Sequence, residues 1–177
     1  RNAVNGGLFN ETTFLPNAES KYHEATMAFS PDWKSVYYTT NILRKRKLVN
    51  DEGGTNNFQI LKGTIDNGKL VKPEKLFFNS KEYSVGHPAL SPDGKWLFFA
   101  SDMPGGLGQS DLYSVMIKED GTFEKPENLG PTINTEGRET FPFFAGDNEL
   151  YFASDGRPGL GGLDVFVAKA KETGAAC

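Results

Sequence analysis

Apolar and polar positions along the chain fall into short strand-like runs separated by turn residues, and the pattern repeats. The clearest run is residues 87–111, HPALSPDGKWLFFASDMPGGLGQSD. Two apolar segments flank Pro92-Asp93-Gly94 and a glycine-rich loop follows, which is hairpin chemistry: proline presets φ and glycine accepts the positive φ of a tight turn. Downstream, YFASDGRPGLGGLDVF (151–166) overlays FFASDMPGGLGQSDLY (98–113) without a gap. Upstream, HEATMAFSPDWKSVYYTT (23–40) carries a weaker copy. The turn aspartates Asp32, Asp93 and Asp147 mark the units, and Asn17, Asn79 and Asn134 hold one place after each fourth strand.

Each unit predicts four short antiparallel strands at a period of about 50 residues, the signature of propeller blades. The fold class expected is therefore all-β, a partial β-propeller of about three blades. Residues 1–22 read as the end of a preceding blade and a linker, 23–86 as blade one and 87–138 as blade two. Residues 139–177 read as blade three, truncated before its last strand. In blade two the expected strands are 88–90, 96–101, 112–118 and 122–129. In blade one they include 26–29, 36–40, 58–65 and an edge strand beginning near Pro73. A closed propeller takes about four to eight blades, so the chain is expected to be a fragment or part of an assembly that completes the ring. The start at Arg1 reads as a mature or excised segment, and Cys177 as a cut end. No stretch has a sustained helical period; residues 41–50 come nearest, between close-set Asn, Thr and Gly.

Composition narrows the functional classes. The net charge of −4, from 19 basic and 23 acidic residues, gives no electrostatic footprint of a nucleic-acid or anionic-membrane binder. No apolar run of about 18 residues suggests a membrane span. With Cys177 as the lone cysteine, no disulfide framework is possible.

The turn and loop motifs carry a family resemblance. SPDGKWLFFASD and its echo resemble the WD40-like PD40 repeat of TolB-type propellers. HEATMAFSPD, EYSVGHPALSPDGK, SDMPGGLG, NLGPTINTEGRETFPF and SDGRPGLGGLDVF together resemble the propeller of OmpA-family envelope proteins of Bacteroidota. That resemblance covers about residues 14–174. It implies an envelope setting, periplasmic and outer-membrane associated, with links to type IX secretion and gliding motility. Envelope proteins of a larger complex are the implied partners; a parent protein of this kind binds peptidoglycan through a separate domain, whose sequence is not present here. Three departures stand out. Trp33 replaces the turn glycine, the second loop of the first unit is longer and basic, and Ala145-Gly146-Asp147 replaces Ser-Pro-Asp.

Candidate chemistry is sparse. Asp102, Asp111, Asp155 and Asp164 bracket the glycine loops and offer hard oxygen ligands for Ca²⁺; equally, each can cap its hairpin by accepting loop amides. The loops lack the Lys-Ser/Thr and the helix of a phosphate loop, and no cofactor motif is present. His23 and His87 lie where blades converge but lack further metal-ligand partners. Ser101 and Ser154, like Glu24 and Glu139, recur by repeat, which argues for structural roles; no nucleophile elbow occurs. No enzyme activity is expected of the chain.

Residues that break the repeat, or that leave an apolar side chain on a loop, are the better functional candidates. For partner binding these are the basic run Arg44, Lys45, Arg46 and Lys47, with Met103, Leu107, Arg157 and Leu160 on the loops. Glu82, Glu136 and Arg138 form a charged rim. The expected function is a non-catalytic interaction module. Its alternatives are the propeller of a peptidase-type hydrolase whose catalytic domain lies elsewhere, or a glycan-binding propeller using Tyr83 and Phe141.

Overall fold

The computed structural model describes residues 24–45, 47–146 and 149–169. Among them every regular element is a strand. The first sheet contains β1 (Glu24–Phe29), β2 (Ser35–Asn41), β5 (Phe58–Asp66) and β6 (Lys69–Lys75), and a small hairpin of β3 (Leu43–Arg44) and β4 (Lys47–Leu48) is inserted between β2 and β5. The second holds β7 (Val85–Leu90), β8 (Trp96–Ser101), β9 (Asp111–Met116) and β10 (Glu127–Asn128). The third holds β11 (Glu139–Ala145), β12 (Glu149–Ser154) and β13 (Asp164–Lys169). Within each sheet the spatial order follows the chain and all neighbours are antiparallel, so each is an up-and-down blade.

The turn between the first two strands explains why Ser-Pro-Asp recurs. In blade two the Ser91 hydroxyl donates to Asp93 Oδ1 at 2.6 Å and accepts the Trp96 N–H at 3.0 Å, while the Lys95 N–H reaches Asp93 at 3.0 Å. Blade one repeats this with Ser30, Asp32, Lys34 and Ser35. Both carboxyls are held below the usual carboxylate range, chiefly by the serine hydroxyl and then by the lysine amide. Gly94 (φ 70°) takes the left-handed position, and Trp33 (φ 59°) takes it in blade one, a conformation unusual for a bulky residue. Trp33 lays its ring against Phe29, with centroids 5.1 Å apart.

The recurring asparagine closes blades one and two. Asn79 accepts the Ile60 N–H at 3.0 Å and donates to the Ile60 carbonyl at 2.7 Å. Asn134 does the same to Leu112, at 2.8 and 3.0 Å. One side-chain amide thus pairs with the middle strand as a strand residue would, satisfying backbone groups that burial would otherwise leave unpaired. Asn17 lies outside the described residues.

Blade two is buried on both faces. Along β8 the pleat sends Leu97 and Phe99 towards blade one, into a core with Tyr37, Ile60, Leu76, Phe78, Val85, Tyr113 and Val115. It sends Phe98 and Ala100 the other way, against Leu150, Phe152 and Phe144 of blade three. Phe78 stacks on Phe99 at 4.9 Å and Phe98 tilts over Phe144 at 4.7 Å. Burial on both sides is why this strand reads as a continuous apolar run rather than an alternating one.

Two expectations need adjusting. The outer strand predicted over 122–129 forms a ladder only at Glu127–Asn128, with an isolated bridge from Ile117 to Phe123; Pro126 has no N–H to give. In β6, Pro73 lies inside the strand rather than at its start, beside Lys72 (φ 50°), where the register slips between Lys62 and Thr64. A proline is tolerated there because the strand is at an edge and bulged.

Candidate functional site

The inner strands β1, β7 and β11 lie side by side and carry the same irregularity. Thr26, His87 and Phe141 occupy equivalent positions, each has a positive φ (39°, 54° and 51°), and each sits where the register slips by one residue. These are β-bulges, which re-aim a side chain at the cost of local strain. All three residues line a groove of about 520 Å³ along the inner strands, with Met27, Phe29, Trp33 and Phe143 among its walls. The His87 ring stacks on Phe141, centroids 4.1 Å apart and planes 20° apart. Its Nδ1 meets Thr140 Oγ1, and its backbone N–H donates to Thr39 Oγ1 at 2.9 Å. Thr39 in turn meets Thr26 Oγ1 at 3.0 Å. One histidine therefore ties the three blades together, and burial lowers its pKa from the ordinary value. Among the described residues no Asp, Glu, Lys or Arg lines the groove, whose walls are mostly apolar, and His87 is its one imidazole. His23 lies outside the described residues.

The four loop carboxylates do not converge. Asp111 is buried; it accepts the Leu107 N–H at 2.6 Å, the Gly108 N–H at 3.0 Å and the Asn128 amide at 2.7 Å. Asp164 accepts the Gly161 N–H at 3.2 Å. Asp102 turns away to the Ser84 N–H at 2.6 Å. Asp155 takes the Arg138 N–H at 2.6 Å and its guanidinium at 2.7 Å, which hold its carboxyl below the usual range. Among the described residues no three His, Cys, Asp or Glu side chains form a group able to hold a metal ion. Asp111 and Asp164 cap their own glycine loops, whereas Asp102 and Asp155 pin the backbone that enters their blades, at Ser84 and Arg138. The glycines serve close approach: a Cβ on Gly108 would lie 2.3 Å from the Thr135 carbonyl and 2.4 Å from that of Gly137, so the loop of blade two straps the entry of blade three.

Recurring polar residues are similarly engaged. Ser101 donates to the Ser84 carbonyl at 2.6 Å. Ser154 donates to Glu139 at 2.6 Å, and Glu139 also accepts the Thr135 N–H and hydroxyl at 2.8 and 2.7 Å. Among the described residues neither serine has a histidine as a hydrogen-bond partner. Tyr83 donates its hydroxyl to the Phe78 carbonyl at 3.1 Å.

The partner-binding candidates divide into two groups. Met103 packs against the core between blades one and two. Arg157 folds back onto the protein, donating to the carbonyls of Thr132 and Ile133 at 2.9 and 2.7 Å with its guanidinium over Phe152 and Phe166. Leu107 and Leu160 are exposed. Arg44 and Lys45 are exposed on the β3–β4 hairpin, and Arg46 lies outside the described residues. On the rim, Arg138 is held by Asp155 and Glu82 pairs with Lys81 at 2.7 Å.

Two features escaped the sequence reading. The inner-strand bulges are one; Pro88 and Pro142, directly after His87 and Phe141, were the available signal, since proline cannot donate to a ladder. The clamp on the basic hairpin is the other. Asn56 donates to the carbonyls of Ile42 and Val49 at 3.0 and 2.8 Å, and Asp51 accepts the Thr55 N–H at 2.7 Å. The Asn56-Asn57 pair was its only trace.

With this geometry in place, solved structures give the fold. A TolB-type protein of Agrobacterium tumefaciens superposes with TM-score 0.52 at 20% identity, over 85% of this chain and 52% of its own. The fold is that of TolB-type propeller blades. A puromycin-hydrolyzing peptidase of Mycobacterium tuberculosis gives TM-score 0.56 at 20% identity, over 86% of this chain and 21% of its own. A prolyl endopeptidase gives 0.51 at 20% identity, over 85% and 20%. The chain spans about half of the TolB-type protein and about a fifth of each peptidase. No family profile matches the sequence, and no curated protein does.

Proposed function

We propose that this chain is a non-catalytic protein-interaction module of a bacterial cell-envelope protein, periplasmic and outer-membrane associated. Its parent would belong to a larger secretion- or motility-linked assembly and would reach peptidoglycan through a separate domain. The observation that carries the reading is the fate of the repeated polar residues. Ser101, Ser154, Asp111, Asn79 and Asn134 all spend their hydrogen bonds holding blades together. What departs from the repeat is surface: the groove side chains and the basic hairpin. The likeness in fold to a TolB-type protein supports the same reading, and the envelope setting rests on the sequence motifs.

The test is affinity capture of the intact parent protein from envelope extracts, with reversible cross-linking. A stable envelope partner lost on deleting residues 24–169 is the expected result; recovery of none under native conditions overturns the reading. A second reading, the propeller portion of a peptidase, is favoured by the likeness to the puromycin-hydrolyzing peptidase and the prolyl endopeptidase. Peptide hydrolysis by the intact parent, abolished by a serine-directed inhibitor, would select it.

A further inference from the structure

The insertion that replaces the glycine loop in blade one builds a second concavity. Between the β3–β4 hairpin and the exit of β6 lies a cleft of about 420 Å³. Ile42 and Leu76, both buried, form its floor with Leu43 and Val49. Arg44, Lys75 and Lys81 line it, with no carboxylate among its described lining residues, although Glu52 and Asp51 lie near enough to act on Lys81. Lys81 is paired with Glu82, but Arg44 and Lys75 make no ion pair among the described residues. Lys45 and Lys47 extend the cationic edge along the exposed hairpin.

This basic rim stands on a protein whose overall charge is −4, and the hairpin that carries it is held in shape. Val49 N–H donates to the Ile42 carbonyl at 2.9 Å and Ile42 N–H to the Asn57 carbonyl at 3.1 Å. Asn56 bridges both hairpin legs, and Asn57 ties the insertion to the Lys81 carbonyl at 2.9 Å. The clamp fixes the backbone at the base of the hairpin that carries Arg44, Lys45 and Lys47, and a pre-shaped backbone removes part of the ordering cost of recognition; arginine offers a two-pronged fit to carboxylate.

We infer that this cleft binds an acidic, extended protein segment, seating one aliphatic side chain on Ile42 and Leu76 while flanking carboxylates meet Arg44, Lys75, Lys45 and Lys47. The inference rests on the interaction-module reading and names the chemistry of one partner. Isolated exposed ion pairs contribute little, so the apolar seat and the cation cluster are both needed.

The test uses a fluorescent peptide of about ten residues with a central leucine flanked by glutamates, titrated into the whole chain. Saturable 1:1 binding is expected, weakened about tenfold or more between 50 and 500 mM salt. It should fall about tenfold or more in the double variant Arg44→Glu, Lys75→Glu. A Lys34→Glu, Lys95→Glu control of equal charge should bind as wild type. Equal binding of a glutamine-for-glutamate peptide, equal loss in both double variants, or preference for phosphatidylglycerol vesicles over the peptide overturns the inference. Failure here is separable from failure of the wider reading. If the Arg44→Glu, Lys75→Glu parent still captures its envelope partner, the cleft assignment falls and the module stands. If no partner is captured while the peptide binds, the reverse holds.

Discussion

Leu112 and Val165 occupy the same position in consecutive repeat units, yet Leu112 is 0% exposed and Val165 is 74% exposed. The neighbouring equivalents agree: Ser114 at 8% against Val167 at 49%, and Ala89 at 7% against Phe143 at 62%. The backbone is the same in both blades, β13 pairing with β12 as β9 pairs with β8. What differs is the cover, since blade three lies on this face of blade two and nothing described lies on the same face of blade three. Apart from Ser114, the residues compared are apolar on both blades, so each face has the character of an inter-blade surface whether or not a described residue covers it.

The largest effect should come from emptying the covered face. Leu112→Ala should cost about 3 kcal/mol by cavity formation, whereas Val165→Ala should stay within about 0.5 kcal/mol. Urea unfolding of the two variants measures the contrast, and equal losses would mean that blade three is covered in solution. Next comes the loop cap. Asp111→Ala leaves three N–H donors without their acceptor and should cost about 2 kcal/mol; Asp164→Ala removes one long bond and should cost less than about 1 kcal/mol. Thermal unfolding at neutral pH should rank them in that order.

The smallest effect is at the junction itself. Burial depresses the folded pKa of His87 below its unfolded value of about 6.5, so the unfolded chain binds the proton more readily. The stability contribution is present above about pH 6.5 and is lost as pH falls towards the depressed folded value. His87→Gln should flatten the stability profile over that window, and an unchanged slope would show that the His87 imidazole is not desolvated in the folded protein.

Much of the architecture was legible in the sequence because the repeat made one segment a control for another. SPDGKWLFFASD places its turn and second strand, and β8 runs over Trp96–Ser101 as expected. Asp111 was read as either ligand or cap, and only coordinates show its oxygens facing loop amides. The buried Glu139 has Val85 as its blade-two equivalent, so its bonds to Ser154 and Thr135 could not be inferred by analogy. The groove was hidden for a different reason. Its residues are Thr26, His87 and Phe141 at one position, which share no chemistry and are united by a backbone conformation whose sequence trace is the following proline in two of the three blades and nothing in the first.

That shared conformation separates how a side chain is held from what it is. A bulge supplied by the main chain carries a hydroxyl in one blade, an imidazole in the next and a phenyl ring in the third, while the ladder on either side stays in register. One backbone device thus presents three different chemistries to a common space, and the contacts that couple them, His87 on Phe141 and Thr26 on Thr39, are made by the side chains and not by the device.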